Sequence, residues 1–430
     1  MDTTRLRLPG HDVLEHTLTV PLDHATHGGE RIEVFAREIV RDGGADRPHL
    51  LYLQGGPGGR ADRPARITGW VDRALDDFRV VLLDQRGTGR STPADALTVP
   101  ARGDAAAQAD YLAHFRADAI VADAEALRAE LTDGRPWSAL GQSYGGFVLT
   151  TYLSRAPHGL LEVLVTGGLP GLTAGAEDVY RLTYARTAAR NAEYFARYPA
   201  DERALRDVAR HLGGTEERLP TGEVLSARRL RQIGIRLGAD LGFHALHHVL
   251  EAPFVSVGGT RRLARTFLAD TGALLSHATN PLYAVLHEPI YAQGSATRWA
   301  AHRLREEWDG FAEDADPADT SRPYHLTGEH VYPWQLREDP ALAPLADAAD
   351  LLAAKADFPA LYDPEVLATN EVPVAAAVYV DDMFVPLELS RATAAAVRGV
   401  RPWVTNEYHH DGIRSDGERI LDRLLTLARR

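Results

Sequence analysis

The chain has 430 residues, 45% hydrophobic and 25% charged, with a formal net charge of −13 and no cysteine. That composition is ordinary for a globular protein with a large core, and it excludes disulfides, thiolate metal sites and cysteine nucleophiles. The acidic balance, without basic runs interleaved with aromatics, argues against nucleic acid as a partner. No window approaches the ~20 apolar residues of a membrane span, so no membrane association is expected. The first twenty residues lack the apolar stretch of a secretory signal, which makes a cytoplasmic protein the default expectation.

In chain order, Leu14–Val20 and Arg31–Val40 alternate in the manner of strands, and Asp42-Gly43-Gly44 closes the second. Three short apolar runs follow. His49–Gln54 stops at Gly55-Gly56-Pro57-Gly58-Gly59, Arg79–Asp84 at Gln85-Arg86-Gly87-Thr88-Gly89, and Trp137–Gly141 at Gln142-Ser143-Tyr144-Gly145-Gly146. Continuous apolar runs ending in glycine turns suit strands buried on both faces of a parallel sheet. Asp118–Leu131 lies between the second and third, with apolar residues at helical spacing, so the order is strand, helix, strand. The sheet is expected to continue at Leu161–Thr166, Val374–Val380 and Pro402–Thr405. From about Leu169 to Glu371 the pattern is mostly helical, with long stretches at Asp178–Arg197 and Arg228–Leu250. The expected organisation is an α/β core in two parts, residues 1–168 and 372–430, interrupted by a mainly helical cap over 169–371.

Gly141-Gln142-Ser143-Tyr144-Gly145 matches G-x-S-x-G, in which a serine sits on a sharp strand-to-helix turn crowded enough to require glycines beside it. A pentapeptide of this kind is also what a serine-capped helix start looks like. Here the apolar run before it and Phe147–Leu153 after it supply the strand and the helix. A serine hydroxyl needs a base, and the base an orienting acid. In an α/β-hydrolase the chain order is Ser, then Asp or Glu, then His. Asp381 and Asp382 follow Val374–Val380, and His409 and His410 follow Pro402–Thr405, so each missing partner has two candidates at the end of a strand. The loop after the first central strand can bring a backbone N–H toward a developing oxyanion. The two donors are assigned to the N–H groups of Gly56 and Tyr144.

Gln54–Gly58, Asp84–Ser91 and Gly141–Gly146 together resemble the proline iminopeptidase (prolyl aminopeptidase) family of α/β-hydrolase serine peptidases. The family's first motif is usually His-Gly-Gly-Pro-Gly; Gln54 is a departure shared with its longer bacterial branch, which has a large cap. Val179-Tyr180-Arg181, His287-Glu288, Thr327-Gly328-Glu329, Leu361-Tyr362-Asp363-Pro364 and Thr405-Asn406-Glu407-Tyr408 extend the resemblance over nearly the whole chain. It implies an α/β-hydrolase fold and release of N-terminal proline from peptides or prolyl amides with a free N-terminus, without metal or other cofactor. It also selects Asp382, four residues before a proline, and His410, one residue before Asp411-Gly412. It implies further that cap glutamates hold the substrate ammonium, Glu288 first and Glu329 second. An esterase, a broader aminopeptidase, or a silent binder on the same fold are the competing readings.

Other features carry less. His244, His247 and His248 have the spacing of metal ligands on one helix face, but no His-Glu-x-x-His is present. Lys355 is the single lysine, so a Schiff-base or phosphate-loop lysine would have to be that residue, which reads as the exposed side of a helix. Gly87 and Gly89 lack the third glycine of a dinucleotide loop.

Overall fold

The computed structural model describes residues 1–26 and 28–430. Its strands, in chain order, are β1 (Asp2–Leu8), β2 (His11–Pro21), β3 (Arg31–Arg41), β4 (His49–Leu53), β5 (Arg79–Asp84), β6 (Trp137–Gln142), β7 (Leu160–Thr166), β8 (Phe254–Val257), β9 (Thr260–Leu263), β10 (Val374–Tyr379) and β11 (Val400–Thr405). A nine-stranded sheet has the order β1-β2-β3-β5-β4-β6-β7-β10-β11, and β8 pairs with β9 alone. From β5 to β11 the neighbours are parallel, whereas β1, β2 and β3 extend the other edge as an antiparallel meander. This is the α/β-hydrolase architecture, a mostly parallel sheet flanked by helices.

The central parallel strands β4, β5, β6, β7 and β10 are mostly apolar because both faces are covered. Every residue of β4, β6 and β10 is buried. Leu51 and Leu53 pack with Ile120, Leu127 and Val148 on one side of the sheet; Leu50 and Tyr52 pack with Trp70, Leu75, Ile420 and Leu424 on the other. Side chains alternate along a strand, so the two sets belong to opposite faces. Each fully buried leucine contributes on the order of 1.5–3 kcal/mol. The helices supplying these contacts are Ala117–Thr132 and Tyr144–Arg155 on one face, Gly69–Asp77 and Gly417–Ala428 on the other.

β5 lies on one side of β4 and β6 on the other. The loops leaving β4 and β6 therefore diverge at a topological switch point, where the carboxyl ends of parallel strands leave a crevice.

Between β7 and β10 the chain carries a series of helices joined by loops, with the β8–β9 hairpin among them. Apolar residues of this stretch, including Tyr194, Leu230 and Leu246, belong to the same cluster as Leu51 and Val148, so the packing is continuous from sheet to helices. Three elements differ from the sequence expectation. Arg228–Leu250 is not one helix: it breaks into Ala227–Arg231, a 3-10 stretch Gln232–Gly238, and Gly242–Leu250. Glycines allow other chain to approach there. A Cβ on Gly234 would lie 2.4 Å from the Thr327 carbonyl oxygen, and one on Gly238 2.3 Å from the Phe384 ring. β8–β9 escaped notice because its strands have four residues each and turn on Gly258 and Gly259, both at positive φ. β1 is exposed at all seven positions, so no burial pattern marks it. Lys355 lies just past the end of Ala346–Ala354 and pairs with Asp357 at 2.7 Å.

Candidate active site

Ser143 stands between β6 and the helix Tyr144–Arg155, with φ 55° and ψ −121°. That backbone conformation is costly for any residue with a Cβ and persists only where the surroundings hold it. Here the Ser143 N–H donates to the Thr166 carbonyl on β7 at 2.9 Å, and its carbonyl accepts from the Gly146 N–H at 2.7 Å. The flanking glycines are steric necessities. A Cβ on Gly141 would meet the Gly145 carbonyl carbon at 2.5 Å, and one on Gly145 the Leu53 carbonyl oxygen at 2.0 Å. Gly145→Ala is accordingly expected to destabilise the fold by about 1–3 kcal/mol, since the obstacle is strand backbone that cannot rotate away. A denaturant midpoint unchanged from wild type would contradict that crowding.

His410 follows β11 in the loop before the short helix Gly412–Ser415, and Asp382 follows β10. The His410 Nδ1 lies 2.8 Å from Asp382 Oδ2, while Asp382 Oδ1 accepts the Phe384 and Val385 N–H groups at 2.8 and 2.9 Å. Asp382 is wholly buried. Its two backbone donors fix the plane of the carboxylate, and the carboxylate in turn fixes the imidazole, with Nδ1 protonated and Nε2 free. Burial opposes a charged ring at His410, but the adjoining Asp382 carboxylate outweighs it and raises the histidine's proton affinity above its ordinary value. The neighbours go elsewhere. Asp381 is exposed, and burial lowers the proton affinity of His409, whose backbone N–H donates to Asp240.

A cavity of about 430 Å³ opens over these residues. Gly56, Ser143, Tyr283, Glu329, Phe384 and His410 line it, joined by Arg236 and Arg414. The Gln54–Gly59 loop forms one wall. A Cβ on Gly55 would lie 2.9 Å from that of Ser143, which shows how close this backbone comes to the serine. The loop is tied to the Asp84–Ser91 motif, because the Gln85 amide donates to the Gln54 carbonyl at 2.8 Å. Tyr144 is the first residue of its helix, so no carbonyl one turn earlier in that helix can accept its N–H. The Tyr144 side chain is buried away from solvent.

The two cap glutamates are placed differently. Glu329 lines the cavity, and its Oε1 accepts the Tyr283 hydroxyl at 2.7 Å. Burial pushes its carboxyl up to about 7, with His410 and Tyr283 pulling the other way. Glu288 is not among the residues lining the cavity; its Oε1 accepts the Ala301 N–H at 3.0 Å at the start of the helix Ala300–Leu304. Burial raises its carboxyl as well. Of the pair, only Glu329 lines the cavity. The sequence could not rank them, since both lie in short segments whose direction depends on cap packing. Tyr283, Phe384, Arg236 and Arg414 also went unnoticed, and no motif marks any of them.

The three helix histidines point to separate partners. His244 meets the Tyr198 hydroxyl at 2.8 Å, His247 meets Asp201 Oδ2 at 3.0 Å, and His248 lies 3.8 Å from Glu251.

A family described as alpha/beta hydrolase fold matches residues 48–236. A proline iminopeptidase from Aeromonas sobria is 46% identical over 430 residues, covering 98% of this chain and 99% of its own. The chain belongs to the proline iminopeptidase family of α/β-hydrolases. A second member, proline iminopeptidase aneH from Aspergillus aculeatus, is 33% identical over 96% of this chain and 93% of its own. A probable proline iminopeptidase from Streptomyces coelicolor is 35% identical over 130 residues, 30% of this chain and 36% of its own. Family membership therefore extends through the helical stretch between β7 and β10, not only the segment matched by the general fold.

Proposed function

We propose that the protein is a serine exopeptidase that releases N-terminal proline from peptides and prolyl amides. The observation that carries this reading is one cavity holding Ser143, His410 and the half-buried Glu329. Ser143 Oγ attacks the prolyl carbonyl carbon while His410 Nε2 takes its proton, and Asp382 stabilises the imidazolium. The N–H groups of Gly56 and Tyr144 receive the oxyanion. His410 then gives the proton to the leaving amine as the C–N bond breaks. Water, deprotonated by His410, attacks the prolyl ester, and proline leaves with Ser143 restored. The reaction as written uses no metal and no cofactor. Residues 169–371 serve as a cap that shapes the prolyl pocket over a core of 1–168 and 372–430. The place of action in this reading is the cytoplasm, with no nucleic acid or membrane as partner.

Glu329 is the partner of the substrate ammonium. A carboxylate in a desolvated wall is stabilised by an arriving cation, whereas an acylated terminus brings none. The test compares prolyl amides with free and N-acetylated termini, alanyl and leucyl amides, and simple acyl esters. Free prolyl amides should be preferred over all others. Faster turnover of N-acetylprolyl amides or acyl esters would instead make the protein a general hydrolase.

Glu329→Gln should lower kcat/KM on free prolyl amides by roughly two decades, since each 1.36 kcal/mol is tenfold. Stability should move the opposite way. The folded carboxyl titrates near 7 against an ordinary value of 4.5, so the folded state binds the proton more tightly than the unfolded one. Its contribution is therefore fully present below 4.5 and is lost as pH rises through 7. The glutamine variant escapes that loss and should gain up to about 3 kcal/mol over wild type at pH 8.5, with the gain vanishing near pH 4. A variant both less active and less stable at pH 8.5 would mark Glu329 as a structural group.

A further inference from the structure

Arg236 and Arg414 line the same cavity as Ser143 and His410. Arg236 belongs to the 3-10 stretch Gln232–Gly238, whose Gly238 carbonyl accepts the His410 N–H at 3.2 Å; Arg414 lies in the helix that begins two residues after His410. Among the described residues neither guanidinium has a carboxylate within 4.0 Å or a side-chain hydrogen bond, and the Nε of Arg236 is buried without a partner. This contrasts with the arginines that serve the frame. Arg86 holds Asp123 with two bonds of 2.6 and 2.7 Å, and Arg63 is joined to Asp84.

The cavity is also lined by Asp411 and Glu329, and neither forms an ion pair with these arginines. Asp411 Oδ1 is engaged by the Asp240 N–H at 2.7 Å. The charged groups that act on Glu329 are His410 and Asp382, with no arginine among them. The cavity is therefore bipolar: the Glu329 carboxyl lines it together with the guanidiniums of half-buried Arg236 and exposed Arg414, which hold no carboxylate of the protein.

The direction of a bound peptide follows from the proposed chemistry. The general acid must touch the leaving nitrogen, so everything downstream of the scissile bond starts at His410. Arg414 is four residues further along that same loop and helix, and Arg236 stands on the segment that His410 is bonded to. A cavity of about 430 Å³ is near the lower end of the ~300–1,000 Å³ typical of small-ligand sites, which suits a dipeptide or tripeptide.

We propose that Arg236 and Arg414 bind the C-terminal carboxylate of a short peptide, so that prolyl dipeptides and tripeptides with a free carboxyl end are the preferred substrates. This rests on the peptidase reading above. Guanidinium forks match carboxylates in planar, two-bond geometry, which a neutral carboxamide reproduces poorly. The leaving fragment of such a substrate is then held at both ends, by His410 at its new amine and by the arginines at its carboxylate.

The test measures kcat/KM for Pro-Ala and Pro-Ala-Ala against the same peptides with C-terminal amides. Wild type should favour the free acids by at least about tenfold. Arg236→Gln and Arg414→Gln should each reduce that ratio, the double variant should bring it near one, and Arg→Lys at either position should restore part of it. A wild-type ratio at or below one overturns the proposal, as does a double variant that keeps the preference. If neither acids nor amides are turned over, the peptidase reading fails by itself. The carboxylate site is then decided by calorimetric binding of Pro-Ala and Pro-Ala-amide to the Ser143→Ala protein, where tighter binding of the acid, lost in the double arginine variant, supports it and equal binding refutes it.

Discussion

Ser143→Ala removes turnover of prolyl amides to within the residual rate left by binding and the oxyanion donors. Losses of nucleophiles in such sites reach on the order of 10⁶ in kcat. The same substitution removes covalent labelling by a small phosphonylating reagent, because in the proposed mechanism the serine activated by His410 and Asp382 is the group such a reagent labels. The fold should tolerate the change. The strain at Ser143 belongs to the backbone, at φ 55° and ψ −121°, and alanine meets the same Cβ constraints that serine already bears. Thermal unfolding of the alanine variant should therefore match wild type within a few degrees. Retention of more than about a hundredth of wild-type activity would remove Ser143 from the nucleophile's role.

The strained turn at Ser143 was legible in the sequence because the steric demand is local. Gly141, Gly145 and Gly146 lie within five residues of one another, and a Cβ on each would strike backbone or a strand side chain. The central strands were legible for a similar reason: burial on both faces leaves short, mostly apolar runs in β4, β5, β6 and β10. Elements whose form depends on distant neighbours were not. The break inside 228–250 depends on Leu326, Thr327 and Phe384, which are remote in sequence from the glycines they press against. The two cap glutamates present the same difficulty. Glu288 and Glu329 are the same residue type in short cap segments; what separates them is that Glu329 meets the Tyr283 hydroxyl in the cavity wall while the Ala301 N–H holds Glu288 at a helix start. Arg236 and Arg414 were invisible in a chain where every basic residue but Lys355 is arginine. Their distinction is that they line the cavity of Ser143 and His410, which only packing reveals.

Asp382→Asn should lower kcat on prolyl amides by about 10⁴, with Asp381→Asn close to wild type. The reason lies in how the carboxylate is spent. Oδ1 is occupied by the Phe384 and Val385 N–H groups, so only Oδ2 is free to face His410 Nδ1, 2.8 Å away. An asparagine in the same pocket must leave its oxygen toward those two backbone donors and turn its NH₂ group toward the imidazole. The ring then accepts at Nδ1 and carries its proton on Nε2, where it can no longer take one from Ser143. The stabilisation of the imidazolium is lost with it. The pH profile separates this from simple misfolding. Asp382 is the leading influence raising the proton affinity of His410 against its burial, so removing the charge should shift the acidic limb of kcat toward lower pH. A merely disordered loop would lower activity without moving that limb in a fixed direction. Asp381 is exposed and followed by no such pair of backbone donors, so its asparagine variant should change neither rate nor profile. A full loss of activity in Asp381→Asn with Asp382→Asn active would exchange the two roles.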